Sequence, residues 1–246
     1  MALFSFHCQC YKKDALRGIY RHNHRLNVTY GNKDIDNSKS AKNIVYITPD
    51  TTLYQSCKKQ IEERVLSTGH RVTKASNWIC ECIYTYPQGL EKDRVNEYFG
   101  LVLEYLADKV GRNNLVSAVV HMDEASPHLH VDFLVITQDN RLSSKEVVNM
   151  AFITSIHNEL PTILQKNGFD VTRGSAEHDS AGLSAREYKK KMQEESAVLE
   201  GKLKELADNY NELVDRYNEL LKTLKELERK NLKKAREILN HRQISR

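Results

Sequence analysis

The period of the apolar positions changes several times along this chain, and each change marks an element. Residues 3–10 alternate, with Phe4, Phe6, Cys8 and Cys10 on one side, which predicts a strand. Residues 18–44 are polar, rich in Asn, Asp, Lys and Ser, and read as a long loop. A loop of that length inside a domain is usually functional. A short strand is expected at 44–48, and Asp50-Thr51-Thr52 opens a helix that ends near Gly69. Trp78 to Tyr86 has the composition of a strand. Residues 90–111 place Val95, Tyr98, Leu101, Val102, Tyr105 and Leu106 along one helical stripe. Two β-prone runs follow, Val116 to His121 and Val131 to Ile136, with Pro127 between them. Ser143 to Lys166 reads as a helix, and Phe169 to Thr172 as a last short strand. This order predicts an α+β fold, a mainly antiparallel sheet with helices packed on it.

From residue 183 the pattern changes. Leu199, Leu206, Leu213, Leu220 and Leu227 recur every seventh residue, and Leu203, Tyr210, Tyr217 and Leu224 fill the positions between. That register predicts a long C-terminal helix with a coiled-coil segment at 199–227. The expected division is a catalytic domain at 1–182 and the helix at 183–246. A homodimer through the coiled coil is expected.

The chemistry concentrates in residues 121–130, His-Met-Asp-Glu-Ala-Ser-Pro-His-Leu-His. Alternate residues of a strand share a face, so His128 and His130 project side by side. A tight antiparallel hairpin brings His121 opposite them. Three imidazoles on one face form a nitrogen site for a divalent metal, with positions left open for substrate. Glu124 adds an oxygen that can ligate, orient or take a proton.

The chain has 246 residues and a formal net charge of +4, too small a surplus to argue for nucleic acid by itself. Its distribution says more. Lys12, Lys13, Arg17, Arg21 and Arg25 cluster with His22 and His24, and Arg186 to Lys191 form a second basic group. The five cysteines are an odd number with no disulfide framework, so reduced core thiols are expected. No signal peptide or membrane-spanning run is visible, which points to a cytoplasmic protein.

Three segments together carry a family resemblance. His22-Asn23-His24-Arg25, then Asn32-Lys33-Asp34-Ile35-Asp36, then the motif at 121–130 resemble the MobV/Pre-type plasmid mobilisation relaxases. These are also called plasmid recombination enzymes and belong to the HUH endonuclease group. The resemblance runs over residues 1–195. It implies strand-specific nicking and rejoining of DNA at a plasmid transfer origin, with a covalent 5′-phosphate intermediate. It implies conjugative mobilisation or plasmid recombination as the wider task, and single-stranded or supercoiled origin DNA as the partner. A coupling protein is a further candidate partner.

The resemblance places the nucleophile at His22 rather than on the tyrosine usual in the HUH group. By position alone His24 is equivalent, and Tyr20 and Tyr30 are the default nucleophiles by chemistry. Arg25 is expected to bind phosphate through its fork. Glu124, with Asp36 the other candidate, is expected to take the His22 proton or orient its ring. His121, His128 and His130 are the expected metal ligands. Mn²⁺ is favoured by the resemblance, while Mg²⁺ and Zn²⁺ also suit divalent sites of this kind. Arg21, Asn23, Lys33 and Lys39 are expected at the DNA, Lys39 standing where the family pattern has Arg. Tyr and Arg side chains of the 11–30 segment can stack on unpaired bases. Two readings compete with this one: an HUH replication initiator or transposase using a tyrosine, with Tyr188 available, and a non-catalytic dimeric DNA-binding protein.

Overall fold

The computed structural model describes residues 2–173 and 185–244. Within the helix at its end, the side chains of residues 185–189, 191–192 and 237–244 are outside the description. The chain divides into two units, Met1–Glu177 and His178–Arg246. The boundary expected at 182/183 lies outside the described residues.

The first unit is built on six strands: β1 (Ala2–Lys12), β2 (Ile44–Ile47), β3 (Asn77–Thr85), β4 (Leu115–His121), β5 (His128–Leu134) and β6 (Val171–Arg173). Their order across the sheet is β2-β4-β5-β3-β1-β6. All neighbours are antiparallel except β1 and β6, which run parallel. Strand alternation gives the sheet two apolar faces. On one face, Cys80, Cys82, Tyr84, Val131 and Phe133 pack against α3 (Val95–Val110) and α5 (Met150–Lys166). On the other, Ile79, Val116 and Leu134 pack against α1 (Leu16–Asn23) and α2 (Leu53–Arg64). A short helix α4 (Ser144–Val147) precedes α5.

The loop expected at 18–44 is corrected by α1. Leu16, Ile19, Tyr20 and Asn23 follow a helical spacing; Leu16 and Asn23 are buried. The polar surface of the remaining turns hides this short amphipathic helix in the sequence. A 3-10 segment, Asn37–Lys42, orders the other end of the expected loop, capped by Asp36, which accepts from the Ser38 amide.

The second unit is described by its helix α6 (Ala185–Ile244). Leu199, Leu203, Leu206, Tyr210, Leu213, Tyr217, Leu220, Leu224 and Leu227 are all exposed along it. Among the described residues, no helix is long and apolar enough to cross a membrane.

Candidate active site

The site sits on the α1–α2 face of the sheet, at the turn joining β4 and β5. These strands pair so that His121 stands directly opposite His128. The His121 Nδ1 and His128 Nε2 atoms are 3.3 Å apart. Ring centroids are 4.5 Å apart for His121 and His130, and 5.0 Å for His128 and His130. The expected three-imidazole cluster is therefore present.

Each of these rings is held through the nitrogen that faces away from the cluster. His121 Nε2 lies 2.9 Å from the Asn23 carbonyl, and His128 Nδ1 lies 2.9 Å from the Ser126 carbonyl. His130 Nδ1 lies 2.8 Å from Glu81 Oε1. These acceptors fix the tautomers and leave one bare nitrogen on each ring. The donor atoms form two overlapping sets, each within 4.8 Å: His121, Glu124 and His128, and His22, His121 and His130. His130 Nε2 is buried with no hydrogen-bond partner, an orphan of the kind a metal satisfies. Burial holds His121 down to about 2 and His130 well below the ordinary imidazole value, with neighbouring imidazoles adding to the effect. Both rings are neutral at pH 7, the form in which imidazole ligates. Glu124 Oε1 lies 3.7 Å from both His121 Nδ1 and His128 Nε2, so an oxygen donor stands at the same point. The residues fit a divalent cation with nitrogen and oxygen ligands.

Below the histidines is a buried polar layer that sequence reading missed. Glu81 and Asp132 face each other across β3 and β5, and Asn23 Nδ2 donates to both, at 3.0 and 3.2 Å. Burial raises both carboxyls above the usual range, Asp132 strongly and with the Glu81 charge adding to it. The available signal was an acid inside each of two apolar strand runs, Ile79 to Ile83 and Val131 to Phe133. Asn23, expected at the DNA, is 1% exposed. Its place is under the histidine cluster, because its amide and carbonyl join Glu81, Asp132 and His121.

His22 reaches the cluster from α1. Its ring lies 5.6 Å from His121 and 5.7 Å from His130, and one nitrogen of each of these three rings falls within a common 4.8 Å. Burial lowers its affinity for a proton, and Arg25 lowers it further. His24 turns elsewhere: its Nε2 is 3.2 Å from Ser117 Oγ, and its ring packs at a tilt against Tyr20, with centroids 4.6 Å apart. The Tyr20 hydroxyl points to the Thr51 carbonyl. Tyr30 is nearer, with its ring 6.0 Å from His22, and its hydroxyl accepts from the Asn27 amide.

Arg25 departs from expectation. Its fork grips Asp123 at 2.9 and 2.8 Å, and Nη2 also meets Glu124 at 2.6 Å. The guanidinium, expected on a phosphate, is thus engaged by two carboxylates of the motif itself. Burial raises the Asp123 carboxyl, but bonds from Arg25, Ser40 and Asn43 outweigh it and hold the group well below the usual range. Arg25 adopts a φ of 53°, a left-handed conformation that non-glycine residues seldom take. The double ion pair holds it there.

The three sequence segments meet at this point. Asn32 Nδ2 donates to Glu124 at 2.8 Å, and the Asp36 amide donates to the Asp123 carbonyl at 2.9 Å. No hydrogen bond joins Glu124 to His22 among the described contacts; Glu124 acts on His22 through its charge. Lys33 is exposed, and Lys39 is exposed and paired with Asp36 at 2.8 Å. Arg21 donates to Asn27 and to the Leu26 carbonyl, bracing the chain after α1. Beside α1, a groove of about 460 Å³ is lined by residues that include Arg17, Tyr20, Arg21 and Tyr54. Tyr54 lies flat on Trp78, with centroids 5.6 Å apart. Tyr188 and most of the second basic group lie outside the described side chains.

Residues 1–190 match the plasmid recombination enzyme (Mob_Pre) family. The chain belongs to the plasmid recombination enzyme family. A plasmid recombination enzyme of Lactiplantibacillus plantarum is 33% identical over 193 residues, 77% of this chain and 53% of that protein. One from Bacillus thuringiensis is 32% identical over 194 residues, 78% of this chain and 43% of that protein. The chain thus spans about half the length of the curated relatives it matches. The fold is that of the MobM relaxase domain, solved as a Mn-bound crystal structure with plasmid pMV158 oriT DNA. That domain has a TM-score of 0.71 and 26% identity, over 78% of this chain and all of that one.

Proposed function

We propose that this plasmid recombination enzyme nicks one strand of DNA at a transfer origin and rejoins it, with His22 as the nucleophile. The observation that carries this reading is the approach of neutral His22 to His121 and His130. A nucleophile set beside a metal-binding cluster is the arrangement that transesterification of a phosphodiester needs. A neutral imidazole has a lone pair, and burial together with Arg25 keeps His22 in that form. Attack forms an N–P bond and breaks the P–O3′ bond. The 5′-phosphate stays on the ring, and the ring proton made acidic by phosphorylation passes to the departing 3′ oxygen. The Glu124 charge favours the cationic ring formed during that exchange. Rejoining is the reverse.

His121, His128 and His130 would hold the cation, with Glu124 beside them; Mn²⁺ is the ion in the MobM relaxase crystal. Such an ion, when bound, supplies charge neutralisation at a non-bridging phosphate oxygen. Arg25 serves as a positioning residue, tying Glu124 and Asp123 to the turn that carries His22. The groove beside α1 offers a path for unpaired DNA, because Arg17 and Arg21 supply positive charge and Tyr54 an aromatic surface. Lys33 and Lys39 add charge on the exposed segment nearby. The exposed stripe of α6 supports pairing with a second copy of the chain, since nine apolar side chains at heptad spacing are costly to leave in water.

The test is a supercoiled plasmid carrying the origin of the chain's own element, incubated with the full chain and Mn²⁺. Open circles nicked at one position on one strand are expected. No nick, or nicks scattered over both strands, would overturn the reading.

A further inference from the structure

Four of the five cysteines stand on one pair of strands. Cys8 is opposite Cys82 and Cys10 opposite Cys80 across the β1–β3 ladder. Strand alternation turns all four to the α3–α5 side, away from the histidines. Cys80 and Cys82 are fully buried there, and Cys8 and Cys10 half-buried. The sulfurs of Cys8, Cys80 and Cys82 lie within 4.8 Å of one another. Around a tetrahedral zinc, with bonds of about 2.3 Å, sulfurs stand about 3.8 Å apart. Small side-chain rotations close the difference.

Ordinary core packing explains these residues less well. On the same face, the adjacent strand β5 carries Val131 opposite Cys82 and Phe133 opposite Cys80. Sulfur replaces such fillers only on the facing positions of β1 and β3. The fifth cysteine, Cys57, shows what an isolated core thiol looks like: it packs with Leu53 and Ile61, and burial pushes its thiol up. Cys8 instead has two further sulfurs, those of Cys80 and Cys82, beside it. An entry path also exists, because β6 covers β1 only from Ala2 to Phe4. Beyond Phe4, the Cys8–Cys10 stretch forms the sheet edge among the described residues.

We propose that Cys8, Cys80 and Cys82, with Cys10 as fourth ligand, form a thiolate site for Zn²⁺ that is separate from the histidine cluster. Binding replaces each ligating S–H with an S–Zn bond and releases the protons. The site is structural, since it clamps β1 to β3. Glu81 lies between Cys80 and Cys82 and projects to the opposite face, where it holds His130. The clamp therefore stiffens the strand that orients a metal ligand of the active site.

Cobalt alone reports on this. Loading the reduced full chain anaerobically with Co²⁺ should give an intense thiolate-to-cobalt charge-transfer band in the near ultraviolet, bleached by one equivalent of Zn²⁺. The band should weaken in Cys8→Ser and in Cys82→Ser and stay unchanged in Cys57→Ser and His130→Ala. Cys8 is only half-buried, so Cys8→Ser keeps the test valid where Cys82→Ser fails to fold. No charge-transfer band from the folded native chain overturns the site, and so does a band unchanged in Cys8→Ser. Disappearance of the thiols in pairs in air, without a cobalt band, would make the quartet a disulfide-forming one and equally overturn the proposal.

Discussion

Glu81 holds His130 through a 2.8 Å contact to Nδ1, and this leaves His130 Nε2 buried and bare. A buried imidazole kept in one tautomer by a carboxylate is pre-set as a ligand. Glu81→Ala should lower Mn²⁺ affinity about 10- to 100-fold without unfolding the chain. Calorimetric titration of the apo-protein measures this. An affinity equal to that of the native chain in a folded variant would show that Glu81 does not set the ligand.

Arg25 presents a different kind of dependence. Its side chain is 7% exposed and that of Asp123 fully buried, so the pair is desolvated. Removing one partner leaves an uncompensated buried charge. Arg25→Ala should therefore cost about 3–5 kcal/mol of stability. Urea unfolding of Arg25→Ala beside the native chain checks it, and a loss under about 1 kcal/mol would place the pair with solvent-screened ones.

Tyr54 gives a test of the DNA path. The ring is partly exposed and held flat by Trp78, so it is rigid enough to take a base at little entropic cost. Tyr54→Ala should weaken binding of single-stranded origin DNA by about 1–3 kcal/mol. Fluorescence anisotropy with a labelled strand reads the change. Equal affinity in Tyr54→Ala would move the path off this groove.

The histidine cluster was legible in the sequence because its geometry is local. His128 and His130 share a face by alternation, and a short turn returns His121 to them. The strands were legible from local signals too: alternation in β1, and β-prone composition in β3, β4 and β5. What lay beneath was not. Asn23 joins Asp132 from 109 positions away, and Arg25 joins Asp123 from 98. Neither partner can be named before the sheet register is known. That is why Arg25 read as a free phosphate ligand and Asn23 as a DNA contact. The helix α1 escaped notice because one turn of apolar residues in a polar stretch is a weak periodic signal.

The stripe on α6 predicts association. Leu213 and Leu220 lie one heptad apart and are 66% and 68% exposed. Leu213→Lys combined with Leu220→Lys in the full chain should abolish self-association in sedimentation velocity while the first unit stays folded. An association state identical to the native chain would remove the helix from the contact.

If His22 is the nucleophile, it carries the cleaved DNA strand covalently. The most direct measurement is denaturing electrophoresis of the full chain after incubation with Mn²⁺ and an end-labelled oligonucleotide spanning its origin. An acid-labile covalent protein–DNA band that survives Tyr20→Phe and Tyr30→Phe is expected. That band should be lost in His22→Ala with Mn²⁺ binding retained, which separates a nucleophile from a fourth metal ligand. A covalent band that persists in His22→Ala, or one lost in Tyr30→Phe alone, would contradict that role for His22.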